Sequence, residues 1–485
     1  MGAISGTGII GVFTIVFDVI VRVWALIYIP RNRRPQTALA WILAVFLVPY
    51  VGLAFFLLVG NSRLPKARRD KQDTINAFIR RAADSVDDRT LDPDIPDWLK
   101  PATDLNRTLG AMPLVPGNSA KVYETDAAGL EAMIDAINAA SSVVHAEFYI
   151  MSLDSTSGPF FDALENARNR GVVVRVLLDH LGSRGYPGYR AMKKRMDRAG
   201  LEWRLMLPFF PLMGKLQRPD LRNHRKLLVI DGTVAFTGSR NIIDPGYQKR
   251  KNTKRGLQWH DFMARFEGPV VAEIEAVFIS DWYSETDELL DETDVSTFEL
   301  NGDLDCQVVP SGPGFEGENN LRLFNSLVYA ARKRIVLTSP YFVPDDSMLY
   351  AITTAAQSGI EVELFVSEIG DQFLVYHAQR SYYEALLKAG VRIWLYSKPT
   401  VLHAKHFTID DELSVFGSSN MDMRSFTLDL EITVMVRGAD FMRQLRATQD
   451  EYRSHSRELT IEEWSKRSFI QRTFDDLARL TAAVQ

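Results

Sequence analysis

The sequence predicts an α/β protein: two lobes, built alike and packed as an intramolecular pseudo-dimer, behind an N-terminal hairpin of two transmembrane helices. Three observations carry that prediction. Long apolar runs are confined to residues 1–60; strands and helices then alternate in the same order twice; and one cluster of polar residues recurs in both copies with unchanged spacing. The boundaries read as membrane helices over 1–60, a connector over 61–115, a first lobe over 116–300 and a second over 301–485. A chain of 485 residues is about three domains long and buries a large core without disulfide or metal staples. Cys306 is the only cysteine, so no internal disulfide forms and no oxidising compartment is implied.

From Ala38 to Val59 runs ALAWILAVFLVPYVGLAFFLLV, 22 residues without a charge. As a helix it matches a hydrocarbon core of roughly 30 Å, and Pro49 inside it predicts a kink. Core helices of soluble proteins seldom run this long uncharged. Ile9 to Ile29 is of similar length but carries Asp18 and Arg22, four residues apart on one helix face, where they can pair. It reads as the other spanning helix, with an interfacial or re-entrant segment as the competing reading. No Lys or Arg precedes this run and a second apolar run follows it, which argues against a cleaved signal peptide. The loop between them holds Arg31, Arg33 and Arg34, while Arg63, Lys66, Arg68, Arg69 and Lys71 follow the second run. Five cations against three predict that the C-terminal part is cytoplasmic. Residues 1–75 carry a net +6, leaving −11 for the rest, so the total of −5 sums two opposed parts. The basic segment suits anionic headgroups, and the acidic remainder speaks against a nucleic-acid footprint.

Residues 76–115 are polar, acidic and proline-bearing, as a connector should be. The first copy of the repeat then contains HAEFYI from His145, a helix FFDALENARNRG, the buried-strand run VVVRVLLD, a helix ending at Gly200, and NHRKLLVIDGTVAFTGSRN. The second contains RIVLTSPYFVP from Arg334, a helix reaching Gly359, the strand IEVELFVS, a helix ending at Gly390, the strand VRIWLY, and LHAKHFTIDDELSVFGSSN. His224, Lys226, Asp231, Gly238, Ser239 and Asn241 match His403, Lys405, Asp410, Gly417, Ser418 and Asn420, with 17 residues from His to Asn in each copy. Each His-x-Lys is expected on a strand, where residues two apart share a face. Asp231-Gly232 and Asp410-Asp411 read as tight turns, after which TVAFTGS and ELSVFGSS return antiparallel and bring Ser and Asn back beside the His-Lys pair. Two copies facing each other supply a cavity with two imidazoles, two ammoniums, two hydroxyls and two amides. That set suits a phosphodiester: the donors hold the non-bridging oxygens, one imidazole attacks phosphorus and the other protonates the leaving oxygen.

The doubled HxKxxxxD followed by GSxN resembles the phospholipase D superfamily. The paired N-terminal helices, SPYFVP, WHDFMARFEGP and GSSNMDMRSFTLDLE are similar to the bacterial cardiolipin synthases of that superfamily, over nearly the whole chain. The resemblance implies a phosphatidyltransferase at the bacterial inner membrane, needing no metal or other cofactor. It would join two phosphatidylglycerol molecules into cardiolipin and glycerol through a phosphohistidine. Catalytic roles are implied for His224, Lys226, Asp231, His403, Lys405 and Asp410, although the two aspartates read as structural at their turns. Ser239, Asn241, Ser418 and Asn420 are expected to bind or orient the phosphate. An orienting carboxylate is expected behind each histidine, Asp261 for His224 and Glu431 for His403. One histidine must start neutral and the other protonated, and family habit points to His224 as the nucleophile. The expected partners are phosphatidylglycerol and the membrane, not nucleic acid, with a homo-oligomer left open.

The competing functions are a phospholipase D-type hydrolase, in which water resolves the intermediate, a nuclease and a non-catalytic scaffold. The anchor and the acidic body disfavour the nuclease, and two complete motifs disfavour the scaffold. His406 lies three residues past His403, on the opposite strand face, and so reads as structural rather than as a metal ligand. Arg424 is expected to touch a headgroup or to form a salt bridge, and Tyr341 to line the cavity or to be a core aromatic. An apolar loop with Phe209, Phe210, Leu212 and Met213, followed by Lys215 and Arg218, reads as an element that dips into the bilayer interface.

Overall fold

The computed structural model describes residues 6–31, 33–60, 66–87, 95–110, 112–209, 218–290, 300, 302–315 and 317–481. The chain divides into two compact units, residues 1–63 with 218–220 and residues 64–217 with 221–485.

In the smaller unit a helix Gly6–Tyr28 is followed by two short helices, Pro35–Leu47 and Pro49–Val59. The expected single helix from Ala38 to Val59, kinked at Pro49, is therefore corrected: it folds back on itself at Val48. Pro49 has no N–H and its ring clashes with a preceding turn, so the helix stops and restarts there. Val48 takes up the bend at φ −136°, ψ 76°. Gly52 permits the close return, since a Cβ there would lie 2.5 Å from the Ala44 carbonyl oxygen. Trp41 meets Phe56 edge-on at 5.5 Å, and Arg33 donates from Nε to the Gly60 carbonyl at 3.2 Å, so the two ends of the hairpin lie together. Pieces of 13 and 11 residues reach about 20 and 16 Å. Among the described residues no helix is long and apolar enough to cross a membrane. Asp18 and Arg22 do pair, at 2.9 Å.

In the larger unit, residues read as connector form helices Lys66–Asp87 and Lys100–Gly110. The first is tied by Arg68 to Glu285 at 2.6 Å, the second by the Asn106 amide to the Val308 carbonyl at 3.1 Å. The strands that follow are β1 (Val115–Tyr123), β2 (Val143–Phe148), β3 (Val173–Asp179), β4 (Glu202–Met206), β5 (Arg222–Asn223), β6 (Lys226–Ile230), β7 (Val234–Gly238), β8 (Gln258–His260) and β9 (Met263–Glu267). The second copy has β10 (Leu304–Ser311), β11 (Arg334–Thr338), β12 (Phe342–Val343), β13 (Glu361–Ser367), β14 (Arg392–Tyr396), β15 (Thr400–Leu402), β16 (His406–Ile409), β17 (Leu413–Gly417), β18 (Met421–Asp422), β19 (Asp429–Arg437) and β20 (Ser456–Leu459).

The order β1-β9-β7-β6-β2-β3-β4 in the first copy is repeated by β10-β19-β17-β16-β11-β13-β14 in the second. β1 and β10 pair antiparallel, so the two expected lobes share one continuous sheet instead of packing as separate ones. The parallel ladders β2·β3·β4 and β11·β13·β14 require crossover helices, which cover the sheet. That cover explains why VVRVLLD and EVELFVS are mostly apolar, with every residue after the first buried. The hairpins β6·β7 and β16·β17 are antiparallel, as the turn residues predict.

Candidate active site

Both histidines sit one residue beyond a strand end. His224 lies between β5 and β6 and His403 between β15 and β16, so the expectation that each His-x-Lys lies wholly on a strand is corrected. Each short strand before a histidine pairs in parallel with the other copy. β5 pairs with the start of β19, and the His224 amide then donates to the Leu430 carbonyl at 2.8 Å. β15 pairs with β8, and the His403 amide donates to the His260 carbonyl at 2.8 Å. Each imidazole is thus held by the backbone that leads to the other copy's carboxylate. Buried polar groups at strand ends secure this arrangement: Asp179 accepts from Asn223 N at 2.9 Å and from Arg222 at 3.0 Å, and Ser367 Oγ accepts from Leu402 N at 2.9 Å.

The orienting carboxylates are therefore exchanged relative to expectation. Glu431 receives His224 Nδ1 at 3.0 Å, and Asp261 receives His403 Nδ1 at 2.6 Å. The serines orient these carboxylates: Ser239 Oγ donates to Asp261 at 2.7 Å and Ser418 Oγ to Glu431 at 2.5 Å. The glycines before them allow the chains to meet. A Cβ on Gly238 would lie 2.2 Å from the Phe262 carbonyl, and one on Gly417 would lie 2.2 Å from that of Ile432. With Nδ1 committed to a carboxylate, Nε2 is the ring nitrogen of each histidine left for chemistry.

The two environments differ. Burial opposes ionisation of Asp261, but the His403 imidazole, Lys405 and Ser239 hold its carboxyl well below the usual range. Burial lifts Glu431 to about 7 against the pull of Lys226, Ser418 and Ser425. Burial and the two lysines push His224 well below its ordinary value, and His403 is lowered by burial and Lys405 while Asp261 opposes the shift. Lys226 and Lys405 are buried and donate to the carbonyls of their own histidines. Burial lowers them to about 7 and about 8, so each ammonium gains from any anion brought between them.

A family model described as "Cardiolipin synthase, PLD-like domain" matches residues 133–282 and 325–452, and one described as "Phospholipase_D-nuclease N-terminal" matches residues 20–61. The Cardiolipin synthase A of Serratia proteamaculans (strain 568) is 34% identical over 459 residues, covering 92% of each chain. That of Wigglesworthia glossinidia brevipalpis is 32% identical over 478 residues, 96% of this chain and 94% of its own. The chain belongs to the cardiolipin synthase family. A crystal structure of phosphatidylserine synthase from Haemophilus influenzae Rd KW20 shares the fold, with TM-score 0.57 and 14% identity over 79% of this chain and 97% of its own.

Within this cardiolipin synthase scaffold, Asp231 and Asp410 lie at the far ends of β6 and β16, roughly 16 Å along the strand from the first lysine. They are not beside the imidazoles. Asp231, at φ +51°, accepts from the amides of Ser141, Ser142 and Val143, each at 2.8 Å; Asp410, at φ +54°, does the same for Arg332, Lys333 and Arg334. Burial resists, yet these amides hold the Asp231 carboxyl down to about 2. Its stabilisation is complete above about pH 4 and is lost as the pH falls towards 2. Asp231→Ala is expected to lower stability by about 2 kcal/mol while leaving turnover of the folded enzyme near wild type, as read by thermal denaturation at pH 7 beside an activity assay.

Asn241 is committed elsewhere, accepting from Ile150 N at 3.0 Å and donating to the Tyr247 hydroxyl at 2.8 Å. Asn420 Oδ1, an acceptor, is buried without a partner among the described residues. Arg424 forms the salt bridge, to Asp429 at 3.1 Å. His406 is buried against Tyr452 and Phe262, and neither ring nitrogen has a hydrogen-bond partner among the described residues. Tyr341 packs edge-on to His403 at 6.4 Å, and its counterpart Tyr149 to His224 at 4.8 Å. Tyr149 escaped the sequence reading, although each tyrosine follows the matching strand of its copy. In the apolar loop, Phe210, Leu212, Met213 and Lys215 lie outside the described residues; the Phe209 amide donates to His180 Nδ1 at 3.0 Å.

Proposed function

We propose that this chain is a membrane-bound cardiolipin synthase that uses His224 as nucleophile and His403 as acid and base. The observation that carries the proposal is the pair of imidazoles, each fixed through Nδ1 by a carboxylate of the other copy. His224 Nε2 attacks the phosphorus of one phosphatidylglycerol; the bond to the headgroup oxygen breaks, and that oxygen takes the proton of His403, so glycerol leaves. A second phosphatidylglycerol gives its hydroxyl proton to His403 and attacks the phosphohistidine; the P–N bond breaks and cardiolipin forms. Exchange between two similar esters requires no nucleotide. Ionised Asp261 opposes the lowering of His403 by burial and Lys405, whereas burial and two lysines push His224 well below its ordinary value, so His403 holds a proton more readily than His224. Lys226 and Lys405 hold the non-bridging oxygens.

The smaller unit belongs in this reading as the membrane anchor. Exposed Phe13, Ile15, Phe55, Leu57 and their neighbours form an apolar surface that water would not tolerate.

Incubation of the purified chain with phosphatidylglycerol tests the function. Cardiolipin with equimolar glycerol is expected; phosphatidic acid with glycerol would replace the synthase by a hydrolase, and no turnover would overturn both.

A further inference from the structure

The helix Phe469–Arg479 is inverted relative to ordinary amphipathic packing. It turns Asp475 and Ala478 inward and leaves Phe469, Ile470, Phe474 and Leu477 between 51% and 82% exposed. The inward Asp475 receives His377 at 2.6 Å, Arg380 at 3.3 Å and Arg467 at 2.6 Å, which fixes the helix against Phe373–Ala389. That second helix exposes Phe373 and Leu374 at its start, and the His377 ring lies 4.4 Å from Phe373 and 6.3 Å from Phe474. The exposed apolar side chains of both helices therefore form one patch.

The patch adjoins the active site. Two residues before Phe373, Asp371 accepts from the hydroxyl of Tyr341, whose ring packs on His403. The same loop receives Lys251 on the Asp371 carbonyl at 3.2 Å and Arg255 on the Gly370 carbonyl at 2.7 Å. Those two belong to the segment KRKNTKR, residues 249–255, in which Arg250, Lys251, Lys254 and Arg255 are exposed. Apolar side chains next to a cluster of cations match an anionic bilayer surface, where rings enter the acyl boundary and cations meet headgroups.

We propose that this patch docks the catalytic unit on an anionic lipid surface and places the mouth of the active site at the headgroups. The choice of a lipid surface over a second copy of the chain rests on the phospholipid reading of the site and on the neighbouring cations.

The buried Cys306 leaves Phe474→Cys as the accessible thiol among the described residues for an environment-sensitive fluorophore on the full chain. In vesicles of phosphatidylglycerol and phosphatidylethanolamine its emission is expected to shift to the blue and to be quenched by brominated acyl chains. Quenching by aqueous iodide with no blue shift would overturn the proposal, as would concentration-dependent self-quenching between labels, which would assign the patch to a second copy. A Phe469→Ser, Ile470→Ser, Phe474→Ser variant is expected to turn over vesicular phosphatidylglycerol about tenfold more slowly. Its rate on dispersed short-chain phosphatidylglycerol is expected to stay unchanged, and equal loss on both substrates would count against docking. Should the wild-type chain turn over neither substrate, the proposed function fails while the fluorophore still reads the patch.

Discussion

His224→Asn is expected to abolish both turnover and the covalent intermediate, a fall of at least about 10⁴-fold, because no other group in the cavity replaces the attacking Nε2. His403→Asn is expected to stop turnover of phosphatidylglycerol just as fully, but for another reason: the departing glycerol oxygen has no proton donor. The two variants separate with a phosphatidyl ester of p-nitrophenol, whose leaving group departs without a proton. There His403→Asn is expected to release one equivalent of nitrophenol and retain the phosphatidyl group on the protein, whereas His224→Asn releases none. The reverse pattern would exchange the two roles, and release by both would refute a shared cavity.

Asp261→Asn is expected to have the next largest effect, about 10³-fold on kcat. Asp261 keeps its charge 2.6 Å from His403 Nδ1 and so favours the imidazolium. Its removal lowers the pKa of His403, the acid loses its proton earlier, and the alkaline limb of the rate profile moves to lower pH. Asp261 stands in the first copy, so a pH profile governed by His403 that does not respond to it would contradict the pairing across copies.

Much of this was legible in the sequence. Six matched positions announced a duplicated site, and Asp231 and Asp410 marked the turns at which each hairpin reverses. The carboxylate pairing was not, because nearness in sequence favours Asp261 for His224. The two-residue bridges β5·β19 and β15·β8 that exchange the partners are long-range contacts too short to leave a pattern of their own. The N-terminal correction has a similar cause. An uncharged run of 22 residues has the same composition straight or folded, and the fold-back rests on Pro49 and Gly52 acting together. Pro49 alone predicts only a kink. Tyr341 was open to a place in the cavity from the sequence, whereas Tyr149 was obscured by resembling an ordinary core aromatic.

The crossed pairing also bears on what one half can do alone. His224 and Glu431 are 207 residues apart, His403 and Asp261 142, and each couple straddles the join between copies. Neither half holds a complete couple of its own motif histidine with the carboxylate that orients it, so a single copy expressed alone gains one only by meeting another copy in trans. In the fused chain that second copy is always present, tethered at equal number, and a substitution at either carboxylate is felt by the histidine of the opposite half.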